Sequence, residues 1–126
     1  MTSDISRPAY VPPYSASRRV GNIVWTSGVA GYYADRRLDE SFEDQVHVTF
    51  TNLLAALSGS GATLKDVVSV EVFIVRSDDY DQMNALYRSY FVEDPLPVRT
   101  TVTVGLRPGV LFEINAVAAI DDGATK

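Results

Sequence analysis

Arg99 and Glu113 are the two residues of this chain whose types and spacing could do chemistry together. Arg99 follows Pro97-Val98 and by strand alternation shares a face with Thr101, while Glu113 comes after a short connection as a plausible cross-strand neighbour. A guanidinium fork binds a carboxylate through two parallel hydrogen bonds, and a glutamate can orient a water and carry its proton. The same two residue types also make a half-buried structural ion pair, and residue type alone leaves both readings open.

Other chemistries are excluded or weak. The chain has no cysteine, which removes thiol nucleophiles, thiolate zinc sites and iron-sulfur clusters. His47 is the only histidine, so multi-histidine zinc sites and two-histidine relays are impossible. It falls on the flank of a predicted helix, where a solvated or hydrogen-bonded histidine is expected. Gly28 and Gly31 follow a strand but lead into Tyr32-Tyr33-Ala34-Asp35 rather than a helix start, so neither phosphate-binding fingerprint is present. Asp78-Asp79 and Asp121-Asp122 read as capping and solubilising residues. No metal site and no cofactor is expected. Sixteen acids against 11 bases give a net charge of -5, a poor match for a nucleic-acid backbone, although a local basic pocket could still attract a small anion. With no signal-peptide pattern and no membrane-length apolar run, a cytoplasmic protein without a membrane partner is expected.

The elements that must position Arg99 and Glu113 can be read from periodicity. A length of 126 residues and a mean hydropathy of +0.01 suit one globular domain spanning 1–126, with residues 1–7 and 121–126 as frayed tails. Gly21-Asn22 predicts a hairpin turn into the β-rich run Ile23 to Ser27. Val46, Phe50, Leu53, Leu54 and Leu57 form one helical stripe, opened by Ser41 with Asp44 and closed at Gly59-Ser60-Gly61, where a left-handed glycine is expected. Val67 to Val75 reads as a central strand. Asp78-Asp79 then caps a second helix carrying Tyr80, Met83, Tyr87, Tyr90 and Phe91 at helical spacing, stopped by Pro95 and Pro97.

Two last strands, Val98 to Val104 and Leu111 to Ile120, look like antiparallel neighbours joined through Leu106-Arg107-Pro108-Gly109. The order β-β-α-β-α-β-β predicts an α+β fold, a mixed sheet with two helices on one face. Alternation groups Arg99, Thr101 and Thr103 against Val98, Thr100, Val102 and Val104, and Glu113 and Asn115 against Phe112, Ile114, Ala116 and Ala118. One sheet face is then apolar and the other polar and mixed, and the second suits a subunit interface holding a site, so a homo-oligomer is expected.

From about Pro13 to Ile120 the chain resembles the reactive intermediate deaminases (Rid, YjgF type). The resemblance is carried by Pro13-Tyr14-Ser15, Val20-Gly21-Asn22-Ile23-Val24, Thr26-Ser27-Gly28, Asn52-Leu53, Asp66-Val67-Val68, Met83-Asn84-Ala85-Leu86-Tyr87, Tyr90-Phe91, Pro97-Val98-Arg99-Thr100 and Glu113-Ile114. It implies a chorismate-mutase-like fold assembled as a homotrimer around a central barrel, with sites at the subunit interfaces. The implied activity is cofactor-independent hydrolysis of enamino and imino acids of the 2-aminoacrylate, 2-iminopropanoate and 2-iminobutanoate type to a 2-keto acid and ammonia. Carried over by position, Arg99 would clamp the substrate carboxylate and Glu113 would hold the attacking water. Gly28 and Thr101 would line the pocket, Tyr14 of a neighbouring subunit would close it, and Asn84 would support its wall.

The chain departs from the pattern at Val29, where the family commonly has glutamine, at Thr101 in place of cysteine, and at Asn115 in place of a second glutamate. The connection from Arg99 to Glu113 is also about one residue short. These departures bear on substrate range and leave an aminomuconate-type deaminase as a related reading. A non-enzymatic trimer binding small carboxylates is the alternative of another class, and RNA cleavage, sometimes attributed to the family, suits the acidic balance least.

Overall fold

A computed structural model describes residues 11–121. The chain runs β1 (Ser17–Val20), β2 (Ile23–Thr26), a two-residue β3 (Val29–Ala30), α1 (Phe42–Ser58), β4 (Val67–Ile74), α2 (Tyr80–Arg88), β5 (Val98–Thr103) and β6 (Phe112–Ala119). Short 3₁₀ turns precede β4 and α2. The mixed α+β class and the element order agree with the sequence reading, β3 being the one addition. The frayed-tail expectation for residues 1–7 and 121–126 lies, apart from Asp121, outside the described residues.

The sheet order is β1-β2-β6-β4-β5, with β3 pairing on β6. All pairs are antiparallel except β4 with β5. This corrects one expectation: β5 and β6 are not neighbours. A strand followed by a helix and a parallel strand returns on the same sheet, so β5 lands on the outer edge of β4, and the chain must cross the end of β4 to enter β6 on its other side.

Alpha1 forms because its apolar stripe, Val46, Phe50, Leu53 and Leu57, is fully buried against Val24, Val70, Val72, Phe112 and Ile114 of the sheet. Ser41 caps it by accepting from the Asp44 amide at 3.1 Å. At the other end the left-handed residue is Gly61 (φ +86°), whereas Gly59 stays helical (φ −61°). The Ala62 amide closes the helix onto Leu57 O at 3.0 Å, a bond that spans the left-handed residue.

Alpha2 is shorter than predicted. It ends at Arg88, and Tyr90 and Phe91 leave it to join an aromatic cluster in which Tyr90 stacks on Phe50 at 4.0 Å and Phe91 meets the same ring edge-on at 5.9 Å. Tertiary packing of two rings on Phe50, rather than Pro95, decides where the helix stops. Asp79 occupies the N-cap position but bonds Arg76 Nε at 2.8 Å instead of the helix amides. Among the described residues no helix is long and apolar enough to cross a membrane.

Candidate active site

Glu113 and Arg99 lie on opposite faces of the sheet. Glu113 pairs with Phe73 of β4 and Ala30 of β3, on the face that no helix covers. Arg99 pairs in parallel with Val70, a core residue, and therefore points to the helix side. Beta4 separates the two, so the expected cross-strand contact does not form within one chain. Alternation grouped the residues of β5 correctly, yet the group facing the helices is the polar one. Val98 and Val102, 69% and 40% exposed, stand on the open face instead.

The Glu113 side is built from the N-terminal hairpin outward. Asn52 on α1 donates to Ala30 O and Tyr32 O at 2.9 and 2.8 Å, which ties β3 and the following loop to the helix. Gly31 packs on α1 so closely that a Cβ would stand 2.7 Å from Gln45 O. This contact, not a phosphate-binding role, accounts for that glycine. Ser27 holds the Tyr14 segment: its amide donates to Ala16 O at 3.0 Å and its hydroxyl to Ser15 O.

With the strand ends fixed, the Glu113 carboxyl rests on Gly28, where a Cβ would lie 2.2 Å from Oε2. Burial pushes the Glu113 carboxyl above its ordinary value of 4.5. The carboxyl opens into a cavity of about 430 Å³ lined by Tyr14, Ser27, Gly28, Ala30, Tyr32, Arg36, Arg107 and Glu113. Tyr14, Gly28 and Glu113 are thus brought together in a single chain.

The Arg99 side is built on β5 and α2. The guanidinium carbon stands 4.8 Å from the centre of the Tyr87 ring and 5.9 Å from that of Tyr80. Its nitrogens reach Tyr80 Oη at 3.3 Å and Met83 Sδ at 3.9 Å. Tyr80, Met83, Asn84 and Tyr87 share one helical face by their spacing. Two buried polar atoms here have no partner, Thr101 Oγ1 and Tyr87 Oη. Burial raises Tyr87, partly opposed by Arg99.

Arg99, Thr101 and Asn84 therefore form a second group, away from the first. Sequence reasoning missed Arg36, Arg107 and Tyr32 at the Glu113 cavity and the tyrosine platform under Arg99. The spacing of Tyr80 and Tyr87 carried a signal, but it reads equally as core packing. His47 is hydrogen-bonded as expected, with Nδ1 2.5 Å from Tyr90 Oη and Nε2 3.7 Å from Glu43. No group of three metal-ligating acids or histidines occurs among the described residues. A separate hollow of about 360 Å³ lies under the segment 92–97 and includes neither Arg99 nor Glu113.

Residues 4–120 match the sequence model of the family described as Endoribonuclease L-PSP. A protein of Dermatophagoides farinae named 2-iminobutanoate/2-iminopropanoate deaminase is 32% identical over 117 residues, covering 90% of this chain and 91% of that one. The crystal structure of RidA from the Antarctic bacterium Psychrobacter sp. PAMC 21119 superposes with a TM-score of 0.82 at 32% identity, covering 90% of this chain and 93% of that one. The crystal structure of E. coli TdcF with bound serine gives 0.81 at 27% identity, with coverages of 90% and 93%.

Proposed function

The chain belongs to the Endoribonuclease L-PSP family, which includes deaminases of imine intermediates, and from that premise we propose that it hydrolyses 2-imino acids and their enamine tautomers to 2-keto acids and ammonia. The observation that carries this reading is the Glu113 carboxyl, half-buried against Gly28, raised by burial and open to a cavity. Such a carboxylate can hold a water and take its proton as the water attacks a C=N carbon. The new C–O bond forms, the C–N bond breaks, and nitrogen leaves as ammonia carrying the protons. A protonated imine is electrophilic enough for this without a metal or an organic cofactor.

The carboxylate clamp is Arg99, supplied by another copy of the chain. Arg99 and Glu113 of one chain face opposite ways, and Val98 and Val102 leave the open sheet face apolar at its edge. A homotrimer covers that face and brings the Arg99, Thr101 and Asn84 of one copy to the Tyr14, Gly28 and Glu113 of the next. This differs from the expectation that Tyr14 alone crosses the interface. The TdcF relative with bound serine supports a small amino-acid-like ligand. For RNA cleavage the features are poor: the net charge is -5 and the one histidine is engaged by Tyr90.

The test generates 2-imino acids in place with an amino-acid oxidase and traps them with semicarbazide. The protein is expected to remove the imine faster than the trap, and no effect on any imine would overturn the reading. Light scattering is expected to give roughly three times 13.8 kDa, and a fully active monomer would overturn the shared site.

A further inference from the structure

Arg99 stands on an edge strand whose backbone is paired on one side only, opposite Val70 of β4, so the strand fixes where its Cα lies but not where its guanidinium points. The side chains that hold the guanidinium belong to α2. Tyr80, Met83 and Tyr87 recur at i, i+3 and i+7, which sets them on one helical face. Nη2 donates to Tyr80 Oη at 3.3 Å, Nη1 reaches Met83 Sδ at 3.9 Å, and the guanidinium carbon lies over the Tyr87 ring at 4.8 Å. A ring face limits tilt, and a hydrogen bond on one nitrogen limits rotation above that face, so the contacts together restrict the orientation of the fork.

The holders are themselves anchored in the core. Met83 is fully buried and Tyr87 nearly so, and the Tyr87 ring packs on Phe91 at 4.7 Å and edge-on to Phe50 at 6.4 Å. They are also neutral. Among the described residues Arg99 has no carboxylate within ion-pair distance. A glutamate in the place of Tyr80 would hold the fork more strongly, but it would neutralise the charge and occupy donors that a ligand carboxylate needs. An aromatic face and a phenol oxygen restrain the cation and leave its charge and its remaining donors available.

We infer that Tyr80 and Tyr87 are positioning residues of the carboxylate site, holding the Arg99 fork in the orientation that receives the 2-carboxylate of the substrate. This rests on the deaminase reading, in which Arg99 of one copy serves Glu113 of the next. The tyrosines act on the substrate only through Arg99. A fork that is already ordered loses little freedom when the carboxylate arrives, and it sets the C=N carbon in line with the water on Glu113. Tyr80 contributes its oxygen and Tyr87 its ring, so the two roles separate by substitution.

The experiment measures kcat/KM on imines made in place from alanine or 2-aminobutanoate, and calorimetric binding of 2-oxobutanoate. The variants are Tyr80→Phe, Tyr87→Leu and Tyr87→Phe, each alone and combined with Arg99→Ala. Tyr80→Phe removes only the oxygen that accepts from Nη2 and is expected to lower kcat/KM about 3- to 10-fold. Tyr87→Leu removes the ring face and is expected to lower it about 3- to 30-fold, with Tyr87→Phe recovering most of that loss. Both losses should nearly vanish in the Arg99→Ala background, where a merely structural residue would keep its effect. Tyr80 is 42% exposed, so Tyr80→Phe carries the test even if Tyr87→Leu fails to fold. Losses that persist undiminished without Arg99, or a wild-type rate in Tyr80→Phe, would overturn the inference and leave the deaminase reading standing. No hydrolysis by wild type, with 2-oxobutanoate binding weakened by the tyrosine variants only while Arg99 is present, would overturn the deaminase reading and keep the positioning role. Neither hydrolysis nor binding in wild type would overturn both.

Discussion

Beta6 and β5 carry Glu113 and Arg99, the two residues that the proposed chemistry uses, and they differ in how the sheet uses them. Beta6 is central, flanked by β2 and β4, and its alternation is the simple one, with Phe112, Ile114, Ala116 and Ala118 buried under the helices and Glu113 and Asn115 on the open face. Asn115 spends its amide on Glu71 at 3.0 Å. Beta5 is an edge strand with its faces reversed, so that Arg99 and Thr101 turn toward α2 while valines meet solvent. A central strand must bury its apolar face within its own chain. An edge strand can turn a polar set inward, onto a tyrosine platform, when another copy takes up the apolar face it exposes.

The largest effect should come from the β6 side. Glu113→Gln keeps shape and hydrogen-bonding capacity but cannot accept the proton of the attacking water, so imine hydrolysis is expected to fall about 10²- to 10⁴-fold. Binding of a 2-keto acid should survive, as calorimetry can measure. Retained hydrolysis would reduce Glu113 to a structural residue, and unchanged binding with no wild-type activity would favour the carboxylate-binding trimer.

On the β5 side, loss of the bidentate clamp should cost about 2 to 4 kcal/mol of transition-state stabilisation, roughly 30- to 1000-fold in kcat/KM. Arg99→Lys should be nearly as inactive as Arg99→Ala, because lysine keeps the charge but not the fork. The alanine variant also gives up the stacking on Tyr87, worth roughly 0.5 to 1 kcal/mol at a partly exposed site, so it should be slightly less stable yet folded. The sharpest test of the two-region division mixes the variants. Unfolding Glu113→Gln and Arg99→Ala chains together and refolding them should restore roughly a quarter of the wild-type sites if each site draws on two copies. Recovery no better than the parents would place both residues in one chain's site.

Gly28 offers a smaller perturbation of the β6 side alone. Its alanine Cβ would stand 2.2 Å from Glu113 Oε2, and the flexible glutamate, not the backbone, will yield. A carboxylate displaced by about 1 Å is expected to cost roughly 10- to 100-fold in kcat/KM. Circular dichroism and the thermal midpoint should change little. An active Gly28→Ala enzyme would mean that the position of the carboxyl against Gly28 is not the reactive one.

The same contrast shows what the sequence made legible. The helix stripes, the Gly21 turn, the order of elements and the β6 faces follow from local periodicity, which one strand or helix expresses by itself. The face that β5 presents does not, since alternation says which residues travel together and never which set goes inside. Nor does the lateral order of strands, because a short connection such as 104–111 can step across a strand end as well as turn back beside it. The end of α2 was lost for a related reason: Tyr90 and Phe91 keep helical spacing, but their destination is the Phe50 ring. Arg99 and Glu113 were expected as neighbours but stand on opposite faces of the sheet, and Arg36 and Arg107 were missed at the cavity because only the folded chain brings 36 and 107 together.

The smallest expected effect, and the one that separates the halves by pH, follows from the two raised groups. Near neutrality the Tyr87 phenol is protonated, and raising it further changes nothing there. Glu113 is raised from 4.5 by burial, so its conjugate acid persists to higher pH than that of an exposed glutamate. As a water-holding base it must be ionised, and kcat/KM should therefore fall as pH drops through that elevated value, with an acid limb above 4.5. Stability moves the other way. Between the unfolded and folded values the folded chain binds the proton that the unfolded chain has released, so this residue's contribution declines as pH rises through that window and is level above it. Glu113→Gln removes the group and should remove that slope, leaving the variant no less stable than wild type at neutral pH. Urea midpoints measured across the window for both proteins would check this. A Glu113→Gln variant that loses stability at neutral pH would mean that the native carboxylate is held by a favourable partner, and the acid limb should then move below 4.5.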